Sequence, residues 1–163
     1  MMAGETPLQA VYRMPGHLMR RMQQIAVSVF HDCAAPSGLD VTPVQYALLK
    51  AAQSCPGLDQ ASLAGAIAYD RTTIGGVIDR LEQKGLLKRE VSPLDRRARI
   101  VHLTDDGHAA IARLDPLVEQ AQRDMLSGLT PEEAATLTGL LAKAVSTANS
   151  ASRAPLRHPV RKG

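Results

Sequence analysis

Aromatic side chains are nearly missing from this chain: there is no Trp, one Phe and three Tyr, together 2% of 163 residues. A core so poor in rings has to be built from Leu, Ile, Val, Met and Ala, and the helix formers among them predict a mainly α-helical body. Cysteine is equally scarce. Cys33 and Cys55 form neither a Cys-x-x-Cys pair nor a disulfide framework, which points to reduced thiols and a cytoplasmic protein. Long apolar runs are absent: nothing approaches the roughly 18 residues of a membrane span, and the start shows no signal-peptide pattern. The expected protein therefore has no membrane partner. What is present, 45% hydrophobic residues in a chain of this length, suits one domain with a real core.

The net charge of +3 says little by itself, but its distribution is uneven. Between Arg71 and Arg99 lie eight basic residues (Arg71, Arg80, Lys84, Lys88, Arg89, Arg96, Arg97, Arg99) against four acidic ones (Asp79, Glu82, Glu90, Asp95), so the remainder of the chain is slightly negative. Such a run is either a solvated face or the footprint of a polyanion, and charge alone leaves both open. The tail from Ala151 to Gly163 carries Arg153, Arg157, Arg161 and Lys162 with no acid, which predicts a disordered basic segment at 151–163.

Periodicity supplies the elements. Leu18, Met22, Ile25, Val29 and Phe30 mark an amphipathic helix from Pro15 to Cys33, ended by Pro36. Thr42-Pro43 opens a short helix to Gln53, and a second short helix spans Asp59 to Ile67. Asp70 or Thr72 is placed to cap a third, reaching Gln83, with Gly85 just past its end. Leu86 to Glu90 and Arg99 to Leu103 read as strands around the polar turn at 92–97. Thr104 caps a long helix to Leu126, interrupted or bent at Pro116. Thr130-Pro131-Glu132-Glu133 is a capping box for a final helix with Leu137, Leu140, Leu141 and Val145 on one face. The order α-α-α-α-β-β-α-α is that of a winged helix-turn-helix.

In that architecture the third short helix enters the major groove and the hairpin tip follows the backbone toward the minor groove. Arg71, Thr72 and Thr73 then sit at the amino end of the recognition helix, with Gly76 and Arg80 further along it. Arg96, Arg97 and Arg99 crowd the tip, where guanidinium groups suit phosphates or a narrow minor groove. Asp95 is expected to brace one of these arginines. Gly75 and Gly76 each cost about 1 kcal/mol against Ala inside a helix. Either DNA approaches closely there, or the preceding helix packs tightly.

The run Asp95-Arg96-Arg97-Ala98-Arg99-Ile100-Val101-His102-Leu103-Thr104-Asp105-Asp106-Gly107 resembles the wing signature D-x-R-x-x-x-x-x-L-T-x-x-G of the MarR family. Asp70 to Thr73, Val77 to Leu81 and Gly85-Leu86 resemble its recognition helix. This resemblance, running from about Leu8 to Val145, implies a homodimer with intertwined terminal helices at 8–35 and 105–150. It also implies winged lobes at 40–104 that grip a pseudo-palindromic operator in double-stranded DNA. The apolar faces around Leu18 and Leu140 agree, being too large to leave in water.

Members of this family commonly release DNA on binding a small aromatic or anionic effector. The segment Tyr12 to Gln24 is similar to those of regulators of aromatic-acid catabolism, including hydroxybenzoate and hydroxynicotinate pathways. His17, Arg20, Arg21 and Gln24 recur at helical spacing and suit a carboxylate and a ring heteroatom, with Tyr46 and His31 as a further wall. Intersubunit salt bridges or a solvated face would need the same residues. A redox sensor based on Cys33 is the rival mechanism, and a winged helix used for protein contacts alone is another. No metal site is expected: His31 with Cys33, and His102 with Asp105 and His108, lack a recognised ligand spacing. An enzyme is not expected either, because no nucleophile–base pair, phosphate-cradling loop or cofactor motif is present.

Overall fold

Thr6-Pro7, Thr42-Pro43 and Thr130-Pro131 each open a helix by the same device. The threonine hydroxyl accepts from the backbone N–H three residues on, and Gln9, Gln45 or Glu133 at that position reaches back to the threonine N–H, at 2.8, 3.1 and 2.9 Å. Proline at the first helical position loses nothing, since its missing N–H has no partner there. A computed structural model of the chain describes residues 6–159. Its elements are α1 (Pro7–Tyr12), α2 (Pro15–Ala34), α3 (Pro43–Ser54), α4 (Gln60–Ala66), α5 (Ile74–Gln83), β1 (Leu87–Val91), β2 (Arg99–Leu103), α6 (Asp105–Asp124) and α7 (Pro131–Thr147).

The fold is the expected mainly helical winged helix-turn-helix, with differences in detail. Helix α1 is additional. Helix α5 begins at Ile74, beyond the caps expected at Asp70 or Thr72, so Arg71 to Thr73 lie in the turn before it. Strand β1 is shifted one residue toward the tip, and α6 continues through Pro116 without interruption. The strands pair antiparallel, Leu87 opposite Leu103 and Val91 opposite Arg99, while Val101 N–H donates to Leu58 O at 3.0 Å and ties the hairpin to the loop before α4.

The core lies inside the winged lobe. Leu48 and Leu49 of α3, Leu63 of α4, Ile74, Ile78 and Leu81 of α5, and Leu87 and Val101 of the hairpin are fully buried. Helix α6 closes this core with Ile111 and Leu114, and the carboxyl end of α2 adds Phe30 and Ala34. The start of α6 is fitted closely. A Cβ at Gly107 would be driven into the Leu86 carbonyl oxygen and to 2.7 Å from Leu103 Cδ1, so the glycine of the wing signature is a packing requirement.

The terminal helices are different. Helix α7 buries nothing, with Leu140 61% and Val145 67% exposed, and on α2 Leu18 is 50% exposed. After α7 the chain is not free as expected from Ala151. The Asn149 side chain pairs with the backbone of Leu156 in both directions, and Arg157 N–H donates to Gly65 O of α4 at 2.9 Å. Arg161 and Lys162 lie outside the described residues.

Candidate nucleic-acid interface

The turn between α4 and α5 is built from backbone hydrogen bonds. Tyr69 N–H donates to Ala64 O and Ala68 N–H to Gly65 O, a Schellman ending whose left-handed position is taken by Ala68 at φ 51°. Asp70 then accepts from the backbone N–H and the hydroxyl of Thr72. These bonds, the hydroxyl first, hold its carboxyl below the ordinary range. Thr73 is the N-cap residue but spends its hydroxyl on Asp70 O, so its side chain does not cap α5. Arg71, Thr72 and Thr73 are exposed beside a helix amino end that carries no acid in its first turn, an arrangement suited to an anion.

The wing tip is equally organised. Ser92 Oγ accepts from the Leu94 and Asp95 N–H groups, Asp95 Oδ1 accepts from the Arg97 N–H at 2.9 Å, and Ala98 N–H donates to Asp95 O. Asp95 braces Arg97 through its backbone, which leaves the guanidinium free. Arg96, Arg97 and Arg99 are exposed. The two predicted segments meet: Arg71, Arg97 and Arg99, together with Asp59, Gln60 and Asp95, line one cleft of about 390 Å³ between the turn and the wing.

The basic run divides in two. Lys84 bonds Asp40, Lys88 lies 3.0 Å from Glu90, and Arg89 is clamped by Glu82 at 2.6 Å and Asp79 at 2.7 Å while reaching Gln60 at 3.4 Å. The Arg89 guanidinium holds the Glu82 carboxyl below its usual range. Counting charges along the sequence missed this clamp, which fixes β1 to α5 and α4. Among the described residues, Arg71, Arg80, Arg96, Arg97 and Arg99 make no ion pair. Packing does not require the helix glycines. A Cβ at Gly76 would meet nothing within 4 Å, and one at Gly75 would make ordinary contact with Gln60.

The candidate effector residues do not form one cluster. His17, Arg20, Arg21 and Gln24 lie in the first half of α2, where Arg20 Nη1 donates to Gln24 Oε1 at 3.1 Å. His17 stacks obliquely on Tyr12 at 5.6 Å, and its Nε2 is buried without a hydrogen-bond partner among the described residues. His31 sits fourteen residues further along, about 21 Å at 1.5 Å per residue, too far to share a small ligand with His17 in one protomer. It packs edge-on against Phe30, which also contacts Tyr46. Tyr46 is engaged: its hydroxyl donates to Asp115 at 2.8 Å, and Lys50 holds the other carboxylate oxygen at 2.8 Å. Burial and this carboxylate push the phenol well above its ordinary pKa.

Cys33 faces Asp124, its Sγ donating to the carboxylate at 3.6 Å. Desolvation first, and Asp124 second, push the thiol pKa up, the opposite of what an activated thiolate needs.

A helix-turn-helix followed by an arginine-tipped hairpin, with both cationic segments on one surface, defines a winged-helix protein of the DNA-binding type. A model of the MarR family matches residues 41–98. A Thauera aromatica protein described as a regulator of the hcr operon is 42% identical over 101 residues, 62% of this chain and 61% of that protein, so the match spans less than two thirds of its length. The Streptomyces coelicolor regulator PcaV, solved with its natural ligand, is 32% identical and superposes with a TM-score of 0.77 over 85% of this chain and 96% of that one. Bordetella bronchiseptica BpsR, whose DNA binding is regulated by 6-hydroxynicotinic acid, is 32% identical, with a TM-score of 0.75 over 82% and 94%. The chain belongs to the MarR family; it is a regulator and not an enzyme.

Proposed function

We propose that this protein is a homodimeric, sequence-specific repressor in the cytoplasm that leaves its operator when a small aromatic acid binds. The cleft that Arg71 shares with Arg97 and Arg99 carries the DNA half of this reading. It offers cations that make no ion pair among the described residues, next to the exposed Thr72, Thr73, Gly76 and Arg80 of the proposed reading face. The open apolar faces of α2 and α7 support the dimer, and two lobes one DNA turn apart fit half-sites about 10 base pairs from centre to centre.

The effector half rests on the first half of α2. The unpartnered His17 Nε2 beside Arg20 and Arg21 suits an anionic ring acid, and relatives such as BpsR support that class. His31, at the other end of α2, and Tyr46 of α3 are not included. The test is binding to the DNA upstream of the protein's own gene, with and without hydroxybenzoate or hydroxynicotinate. Salt-sensitive, sequence-preferring binding that one of these acids weakens is expected; the absence of duplex binding overturns the proposal. Arg97→Ala should weaken every duplex about tenfold, whereas Thr73→Ala should change the ranking of sequences.

A further inference from the structure

The basic chain after α7 is docked on the first helix of the helix-turn-helix. Arg157 N–H donates to Gly65 O at 2.9 Å, and Gly65 has no side chain to prevent it: a Cβ there would stand 3.2 Å from Arg157 Cβ. The paired hydrogen bonds between Asn149 and Leu156 close the intervening loop and set the direction of approach. Arg157, His158 and Pro159 then form one wall of a cavity of about 520 Å³, whose other walls include Asp59 and Arg71. Arg71 thus borders two spaces, one shared with the wing and one with the tail.

In a helix-turn-helix the first helix crosses the phosphate backbone while the second reads bases. A cation held over α4 beside Arg71 is therefore placed for phosphates flanking the half-site. We infer that the docked segment around Arg157 is a second DNA-backbone arm, which extends each lobe's contact beyond the recognition helix and wing. The inference rests on the DNA-binding reading above. It assigns the arm affinity without sequence preference, because a phosphate contact carries no base information.

The experiment compares full-length wild type, Arg157→Glu, Gly65→Leu and Arg97→Ala on the operator and on an unrelated duplex, from low to moderate salt, with dimer mass checked by sedimentation. Arg157→Glu should weaken both duplexes by a similar factor, about tenfold at low salt, and lower the slope of log affinity against log salt by about 2 per dimer. Gly65→Leu, which evicts the arm without changing charge, should reproduce a large part of that loss. Unchanged affinity and slope in Arg157→Glu overturn the arm, as does tighter binding, which would mark the segment as a cover. An effect of Arg157→Glu that Gly65→Leu does not share overturns the docked position. A wild type that binds no duplex overturns the regulator reading itself, whereas loss in Arg97→Ala alone leaves that reading intact and removes the arm.

Discussion

The winged lobe and the terminal helices solve the same burial problem in opposite ways. In the lobe, Leu48, Leu63, Ile78 and Leu81 are sealed in a core to which α2 to α6 and both strands of the same chain contribute. On α7, by contrast, Leu140 and Val145 stay 61% and 67% exposed. Identical residue types in helices of similar apolar content thus end up inside or outside according to what lies opposite them. The lobe is a unit that one chain completes, whereas in the proposed dimer a second copy completes the terminal helices. In that reading, the side chains that contact DNA belong to the first region, and the distance between the two reading surfaces belongs to the second.

The largest effect expected from that contrast comes from charging the uncovered face. Leu140→Asp with Val145→Asp changes side chains that are mostly exposed and lie outside the core, so the lobe should keep its helical signal and its cooperative melt. The dimer should fall apart in sedimentation, and operator affinity should drop more than a hundredfold as the second lobe ceases to bind in the same event. Retention of a dimer with full affinity would erase the proposed division between the regions. In the lobe the converse holds. Gly107→Ala drives a methyl group into the Leu86 carbonyl and should cost about 3 kcal/mol, seen as a lower denaturation midpoint in monomer and dimer alike.

A finer distinction concerns charge inside the lobe. Glu82, held below its ordinary pKa by the Arg89 side chain, contributes stability that is present above the unfolded value of 4.5 and is lost as pH falls through the lower folded value. Glu82→Gln should therefore lower stability near neutral pH by no more than about 1 kcal/mol, since both side chains are partly exposed. The gap to wild type should close on acidification below about pH 4.5. A gap that stayed constant with pH would assign the clamp's effect to packing.

Much of this was legible from local pattern, because caps, turns and helical stripes are decided within a few residues. The hairpin, the Thr130 box and the arginines at 71 and 96–99 were read correctly as elements and as exposed cations. Helix α1 was missed although Thr6-Pro7-Leu8-Gln9 carries the same signal as Thr42-Pro43-Val44-Gln45. Its six residues show too little periodicity to stand out. The start of α5 was misjudged because Asp70 satisfies Thr72 in a turn of its own, which competes with capping. The pairings of Arg89 with Gln60, Tyr46 with Asp115, Cys33 with Asp124 and Arg157 with Gly65 join distant parts of the chain. Local pattern holds no trace of such contacts; they exist once packing has brought the elements together.

The smallest prediction sets two ends of the lobe's own helices against each other. Helices α4 and α5 finish with the same backbone motif: at α5, Leu86 N–H donates to Leu81 O and Gly85 N–H to Glu82 O, matching the bonds of Tyr69 and Ala68 at α4. The left-handed residue is Gly85 at φ 72° in one case and Ala68 at φ 51° in the other. An L side chain in that region costs about 1–2 kcal/mol. Replacing Ala by Gly relieves it, but the freer unfolded chain takes back about 0.4–1 kcal/mol. Ala68→Gly should therefore raise stability by about 0.5 kcal/mol, measured as a higher urea midpoint at constant slope. The converse change, Gly85→Ala, should lower stability by a similar amount, since the strain it introduces outweighs the stiffer unfolded chain. If Ala68→Gly is instead destabilising, the Ala68 methyl makes contacts that the exposed turn does not display, and the two helix ends are not equivalent after all.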